Sequence, residues 1–284
     1  MNDSDKTAII KQAICSIEAS DSPQLVVIKY GGAAMKDDHL THKMIENIAV
    51  LHSLGIKCII VHGGGPFINK WLEKLDIIPR FENGIRITDA VTMDVVQMVL
   101  SGQINKNIVA RLNMKGVKAV GLSGQDGNLI VASPIQELSD NRVANVSSIN
   151  VELINLLLNN NYIPVIAPIG LNRSGISYNI NADLVAAAIS ERLTAESLLM
   201  LTDTPGILMD YNDPLSVIKS LKVTDITQFI EKGIISGGML PKVNACIQAV
   251  NKGVEKAKIL DGRIADSILL SFISDYQTGT TIYQ

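Results

Sequence analysis

The chain alternates short continuous apolar runs with stretches whose apolar residues recur at helical spacing. Leu25–Lys29 is a β-branched apolar run that leads into Gly31-Gly32. Residues 39–54 carry Leu40, Met44, Ile45, Ile48, Leu51 and Leu54, a three-and-four spacing that predicts a helix. Lys57–His62 reads as a second buried strand, stopped by Gly63-Gly64-Gly65-Pro66 and followed by a helix through Leu75. A loop over Phe81–Thr88 precedes a long helical stretch to about Met114, then strands near 117–122 and 128–132. The second half repeats this logic. It predicts a helix over 150–160, a strand Ile163–Ile169, a helix over 182–192 and a strand Ser197–Thr202, then helices near 224–232 and 241–253 and a last strand Ala257–Leu260. Strands apolar throughout and separated by helices predict an α/β fold with a largely parallel sheet covered on both faces. No linker interrupts the pattern, so two lobes would share one sheet, with a soft boundary around 170–195. Such sheets bind ligands beyond the carboxyl ends of their strands. The glycines fall there.

Composition narrows the partners. The 284 residues are 47% hydrophobic and 4% aromatic, with 25 Lys+Arg against 28 Asp+Glu for a net charge of −3. This is too apolar for disorder, and it has neither the basic excess of a nucleic-acid or membrane-surface binder nor the aromatics of a base-stacking platform. No run approaches the ~18 apolar residues of a membrane span, and the N-terminus lacks the pattern of a signal peptide. Cys15, Cys58 and Cys246 are odd in number and widely spaced, a thiol pattern suited to a reducing compartment. His39 and His42 form an H-x-x-H without further ligands, which predicts solvated helix residues rather than a zinc site, and no metal-ligating set is expected elsewhere.

Three loops carry candidate chemistry: Lys29-Tyr30-Gly31-Gly32 after the first strand, His62–Pro66 after the second, and Ser236–Lys242 opening a late helix. Adjacent glycines let backbone N–H groups approach an anion, and a helix N-terminus favours negative charge. The common nucleotide motifs are absent. No Gly-Lys dipeptide exists, and Gly63–Ile68 fails G-x-G-x-x-G at its last position, which argues against a P-loop ATPase and a nicotinamide oxidoreductase.

Four motifs in chain order then resemble a family. They are Lys29–Met35, the His62–Pro66 loop with Asn83–Thr88 behind it, Tyr178–Asp183, and Gly237–Val243. Together they resemble the N-acetylglutamate kinases of the amino-acid kinase superfamily, from about residue 25 to the C-terminus. Lys29–Met35 and Leu201–Asp213 are most similar to the cyanobacterial and plastid branch. The resemblance implies a three-layer αβα sandwich. Residues 23–180 would form an N-lobe for N-acetyl-L-glutamate and dimerisation, and 181–284 a C-lobe for ATP with Mg2+. The product would be N-acetyl-γ-glutamyl phosphate, an intermediate of arginine synthesis, and the setting bacterial cytoplasm or plastid stroma.

By the same resemblance Lys29 and Lys242 would neutralise the transferring phosphoryl group and Asp183 would hold both lysines in place. Gly64, Gly65, Arg86 and Asn179 would contact the substrate, Gly31, Gly32 and Gly64 the phosphates, and Gly238 the nucleotide. Asp203, Gly206, Leu208, Ile234 and Ser236 fall in stretches matched to adenine and ribose. A carboxylate acceptor is already ionised at pH 7, so alignment and charge stabilisation suffice. Arginine suits Arg86 because its guanidinium binds a carboxylate bidentately. His62 reads as a structural strand-end histidine, and Trp71 with Met93, Val96, Met98 and Val99 as packing.

Residues 7–19 place Ile9, Ile10, Ala13, Ile14 and Ile17 on one helical stripe. In the resembled family a comparable helix, within 1–22 here, joins dimers into a hexamer. Ser16, Ser271 and Gln277 depart from the arginine-sensitive pattern, which predicts weakened or absent arginine inhibition. The PII signal-transduction protein is a partner by branch resemblance. Two alternatives stay open: another kinase of the superfamily, and a non-catalytic arginine or nitrogen sensor of the same fold.

Overall fold

The computed structural model describes residues 24–82, 85–135, 140–272 and 278–284, together with Lys11 and Cys15. The stripe residues Ile9, Ile10, Ala13, Ile14 and Ile17, with Ser16, Asn83, Gly84 and Gln277, lie outside the described residues. In chain order the strands are β1 (Leu25–Tyr30), β2 (Lys57–His62), β3 (Phe81–Glu82), β4 (Ile85–Arg86), β5 (Ala119–Ser123), β6 (Ile130–Pro134) and β7 (Val143–Ile149). They continue with β8 (Ile163–Ala167), β9 (Ile169–Leu171), β10 (Ser177–Ile180), β11 (Ser197–Thr202), β12 (Ser220–Lys222), β13 (Lys256–Asp261) and β14 (Thr280–Tyr283). The α-helices are α1 (Asp38–Ser53), α2 (Gly65–Lys74), α3 (Ala90–Gln97), α4 (Asn105–Met114), α5 (Glu152–Asn159), α6 (Ala182–Arg192), α7 (Val223–Glu231), α8 (Met239–Asn251) and α9 (Ser267–Leu270).

Eight strands form the central sheet in the order β12-β14-β13-β11-β1-β2-β8-β5. Neighbours are parallel except the antiparallel pair β13–β14. The alternation of a strand assigns its side chains to two cores. From β1, Val27 packs into a core shared with α5, α6, α7 and α8, whereas Val26, Ile28 and Tyr30 pack into one shared with α1, α2, α3, α4 and α9. Helices therefore cover both faces of an αβα sandwich. Fully buried side chains such as Ile28, Ile48 and Leu72 each stabilise it by about 1.5–3 kcal/mol. The sheet also divides by sequence: strands from residues 25–167 lie on one side of the β1–β11 pair, and strands from 197–283 on the other.

The observed elements depart from the pattern-based reading in several places; the expected loop Phe81–Thr88 holds the β3–β4 hairpin, and β14 follows the strand expected to be last. The run Ile163–Ile169 is two strands, because Pro168 bends the chain and sends β9 into a second sheet. That second sheet is a small closed barrel, β10-β7-β6-β9, whose strands β7 and β10 the apolar-run criterion missed. Their sequences, VANVSSI and SYNI, carry too many polar residues to read as buried strands. The long helix before Met114 contains a π-helical segment, Met98–Ile104, between α3 and α4. Finally, Met93, Val96 and Val99 pack as expected, but Met98 is 59% exposed and Trp71 39%. Met98 lies on an outward face, whereas Trp71 is partly covered, its Nε1 donating to Gln103 Oε1 at 2.6 Å and Lys74 Nζ lying 4.7 Å from its ring centroid.

Candidate active site

Lys29 shares the α6/α8 face of the sheet with Val27, one residue before β1 ends. On the same face Asn181 caps α6, its Oδ1 accepting from the Asp183 N–H at 2.7 Å. This fixes Asp183 in the first turn, where the helix dipole favours a negative charge. Lys242 projects from the first turn of α8. The three meet: Lys29 Nζ lies 2.9 Å from Asp183 Oδ1, and Lys242 Nζ donates to Oδ2 at 3.1 Å. Burial of Asp183 works to raise its pKa, but the charges of Lys29 and then Lys242 outweigh it and hold the carboxyl below the usual carboxylate value. Two ammonium groups against one carboxylate leave one positive charge in excess. Gly31 makes room for this arrangement, since a Cβ there would stand 2.8 Å from Lys29 Nζ.

The loop after β2 supplies the next wall. Gly64 caps α2 with Pro66 in its first turn. A Cβ at Gly64 would meet Ile104 Cδ1 at 2.4 Å and Leu100 Cδ2 at 2.5 Å, both from the π segment. His62, just before the loop, is wholly buried and bonded within the protein, and burial pushes its pKa down to about 4.

The β3–β4 hairpin contributes Arg86, whose guanidinium carbon lies 4.7 Å from the Phe81 ring centroid. Its Nη2 donates to the Gly65 carbonyl at 3.3 Å and to Asn69 Oδ1. Its Nη1 is buried with no partner among the described residues. Burial pulls the pKa of Arg86 downward, and a charged group in that state favours an anionic partner. Asn179 on β10 donates to Thr88 Oγ1 at 3.3 Å, and the Thr88 N–H donates to Asn141 Oδ1 at 2.8 Å.

These pieces enclose one cleft of about 420 Å³ at the carboxyl ends of β1 and β2. Of the residues singled out in the sequence it gathers Lys29, Gly31, Gly32, Gly64, Gly65, Arg86, Asn179, Asp183 and Lys242. It does not include Asp203, Gly206, Leu208, Ile234, Ser236 or Gly238. Asp203 follows β11 and lies against Gly32, where a Cβ would be 3.9 Å from its amide nitrogen. Gly206 and Leu208 continue that loop, which the side chain of Thr280 ties down by accepting from the Ile207 N–H at 2.9 Å. Ile234 and Ser236 connect α7 to α8, and Gly238 caps α8. Sequence reasoning missed Asn69, Leu100 and Asn145. Asn145 lies on the unrecognised β7, Leu100 in the π segment, and Asn69 matters only through Arg86. Among the described residues no three His, Cys, Asp or Glu side chains converge as a metal site, and no helix is long and apolar enough to cross a membrane.

The sequence pattern of the amino acid kinase family matches residues 24–261. A protein of Nostoc punctiforme named acetylglutamate kinase is 49% identical over 257 residues, covering 90% of this chain and 86% of its own. One of the same name from Prochlorococcus marinus subsp. pastoris is 46% identical over 282 residues, covering 99% of each. A solved structure from Streptococcus mutans UA159 superposes with a TM-score of 0.78 at 28% identity, covering 92% of this chain and 99% of that one.

Proposed function

The chain belongs to the amino acid kinase family, and we propose that it transfers the γ-phosphoryl group of ATP to the γ-carboxylate of N-acetyl-L-glutamate in arginine biosynthesis. The observation that carries the reading is the Lys29–Asp183–Lys242 cluster on a cleft that also holds the unpaired Arg86 Nη1. The acceptor is ionised at neutral pH and needs no general base. Arg86 would bind the substrate α-carboxylate, with Asn179, Gly64 and Gly65 completing its pocket. Lys29 and Lys242 would spread their charge over the phosphoryl oxygens as these pass between donor and acceptor. Asp183 would keep both ammonium groups aimed at that point and lower their mutual repulsion. The glycine N–H groups of Gly31, Gly32 and Gly238 would hold phosphate oxygens, and Asp203, Gly206, Leu208, Ile234 and Ser236 the adenosine. Residues 23–180 would then serve the acetylated substrate and 181–284 the nucleotide.

Magnesium fits this site as part of the nucleotide complex, because the described residues offer no cage of their own and ATP phosphates supply ligands that Mg2+ prefers. When bound it would shield the charge of those phosphates. Our reading of assembly and control extends to a homohexamer joined through residues 1–22, to the PII protein as a partner, and to bacterial cytoplasm or plastid stroma as the setting. Arginine inhibition would be weak or absent: Ser271 is buried, its hydroxyl donates to the Ile268 carbonyl at 2.7 Å and its own carbonyl accepts from Lys258. Trapping the acyl phosphate as a hydroxamate tests the function. Product is expected from N-acetylglutamate and not from glutamate, and the reverse preference would overturn the reading.

A further inference from the structure

His62 ends β2 and Asn105 opens α4, and both side chains are completely buried. Neither lines the cleft. The Nδ2 of Asn105 lies 2.9 Å from the Val165 carbonyl oxygen and 3.2 Å from that of Leu122. Two carbonyl acceptors identify this end of the amide as the –NH2 end. The same nitrogen lies 3.2 Å from His62 Nε2. Gly121 makes the arrangement possible, since a Cβ there would stand 1.8 Å from Asn105 Oδ1. That Oδ1 is itself buried with no partner among the described residues, so the amide holds its orientation for the sake of its donors. On the other side of the ring, His62 Nδ1 lies 3.0 Å from the Gly63 carbonyl oxygen.

A neutral imidazole carries one N–H and one acceptor nitrogen. The Gly63 carbonyl can only accept, so the proton sits on Nδ1 and is donated to it, while the two Asn105 N–H groups, shared among Val165, Leu122 and the ring, face the Nε2 lone pair in a three-centre arrangement. Burial keeps the ring neutral, holding its pKa down to about 4, and the nearby charge of Lys106 acts in the same direction. Gly63 begins the glycine loop that lines the cleft, and its own N–H donates to the Tyr30 carbonyl at 2.8 Å.

We propose that His62 and Asn105 are positioning residues for phosphoryl transfer: Asn105 selects the Nδ1–H tautomer of His62, and that N–H fixes the Gly63 peptide so that the next two glycines face the cleft. In the opposite tautomer the Nδ1 lone pair would oppose the Gly63 oxygen, and the peptide would turn. The kinetic half of this proposal rests on the phosphotransfer function proposed above; the tautomer half does not.

The test combines ring-15N NMR of the full-length, histidine-labelled protein with steady-state kinetics by hydroxamate detection. Wild type is expected to show His62 as the Nδ1–H tautomer. Asn105→Leu should shift that signal toward Nε2–H and lower kcat/KM for N-acetylglutamate at least tenfold. Of two His62 variants, His62→Asn can place an amide N–H where Nδ1–H was, whereas His62→Gln reaches only the Nε2 position. His62→Asn should therefore retain at least tenfold more kcat/KM than His62→Gln, with denaturant midpoints showing that both are folded. This pair decides the matter should Asn105→Leu not fold. A wild-type Nε2–H tautomer, or equal kcat/KM in folded His62→Asn and His62→Gln, would overturn the proposal. Wild type inactive on N-acetylglutamate would instead sink the functional reading and with it the kinetic half, while the NMR still decides the tautomer half.

Discussion

Asp183 offers one carboxylate oxygen to each lysine, so neither lysine can be removed without leaving the other in an altered field. Lys29→Met and Lys242→Met should each lower kcat by about 10²–10³-fold, the usual loss for one donor that stabilises developing charge, with a smaller change in KM for N-acetylglutamate. Steady-state kinetics of the two variants would check this. Arg86→Lys should act on the other parameter, because an ammonium cannot donate to Gly65 and Asn69 and at the same time present a second donor where the buried Nη1 stands. Losing a charge-assisted bond worth about 1.5–3 kcal/mol predicts a KM for N-acetylglutamate raised about 10–100-fold. His62 carries a pH prediction. Folded, it stays neutral down to about pH 4, whereas the unfolded ring titrates near 6.5. As pH falls through 6.5 the unfolded chain takes up a proton that the folded protein refuses, so its contribution is intact above that pH and declines toward 4. Between pH 7 and 5 the loss should be about 2 kcal/mol, read by urea unfolding as a difference between wild type and His62→Asn. The charged members of the site were singled out through motifs that resemble a known family, since a lysine near paired glycines is by itself only a weak local pattern. The unpaired Arg86 Nη1 was not legible, since it depends on Asn69 and Gly65 taking Nη2 and on Phe81 covering the plane.

The π segment between α3 and α4 shows what sits between single residues and the fold. Leu100 and Ile104 project from it onto Gly64, and Asn105 follows it directly. Gly64→Ala should force these side chains aside and cost about 1–3 kcal/mol of stability. Adding Leu100→Ala should recover part of that loss, and a double-mutant cycle from urea midpoints would measure the coupling. Periodicity located this region as helical but could not show the extra residue per turn, because apolar side chains on both registers pack inward. The strands of the main sheet were easier. Apolar runs such as LVVIK, KCIIVH and SLLMLT are buried on both faces and announce themselves. The barrel strands β7 and β10 carry polar residues that concealed them.

At the scale of the whole molecule, the apolar spacing over residues 7–19 carries the proposed hexamer. Light scattering of the full chain is expected to give a hexamer, and a dimer alone would contradict the role proposed for residues 1–22. Sequence order maps onto sheet order, and the β1–β11 pair is the seam between the two sets of strands. Lys29 stands on the strand at one side of that seam, while Asp183 and Lys242 come from helices that follow it in the chain. A bridge of charge spanning a seam makes the two ligands thermodynamically conversant. Whichever binds first adjusts the ammonium groups that the second must meet, and linkage requires the effect to be equal in both directions. N-acetylglutamate should tighten a non-hydrolysable ATP analogue by the same factor as the analogue tightens N-acetylglutamate. In Asp183→Asn, with its tether neutralised, the coupling factor should fall toward one, by the same amount in both titrations.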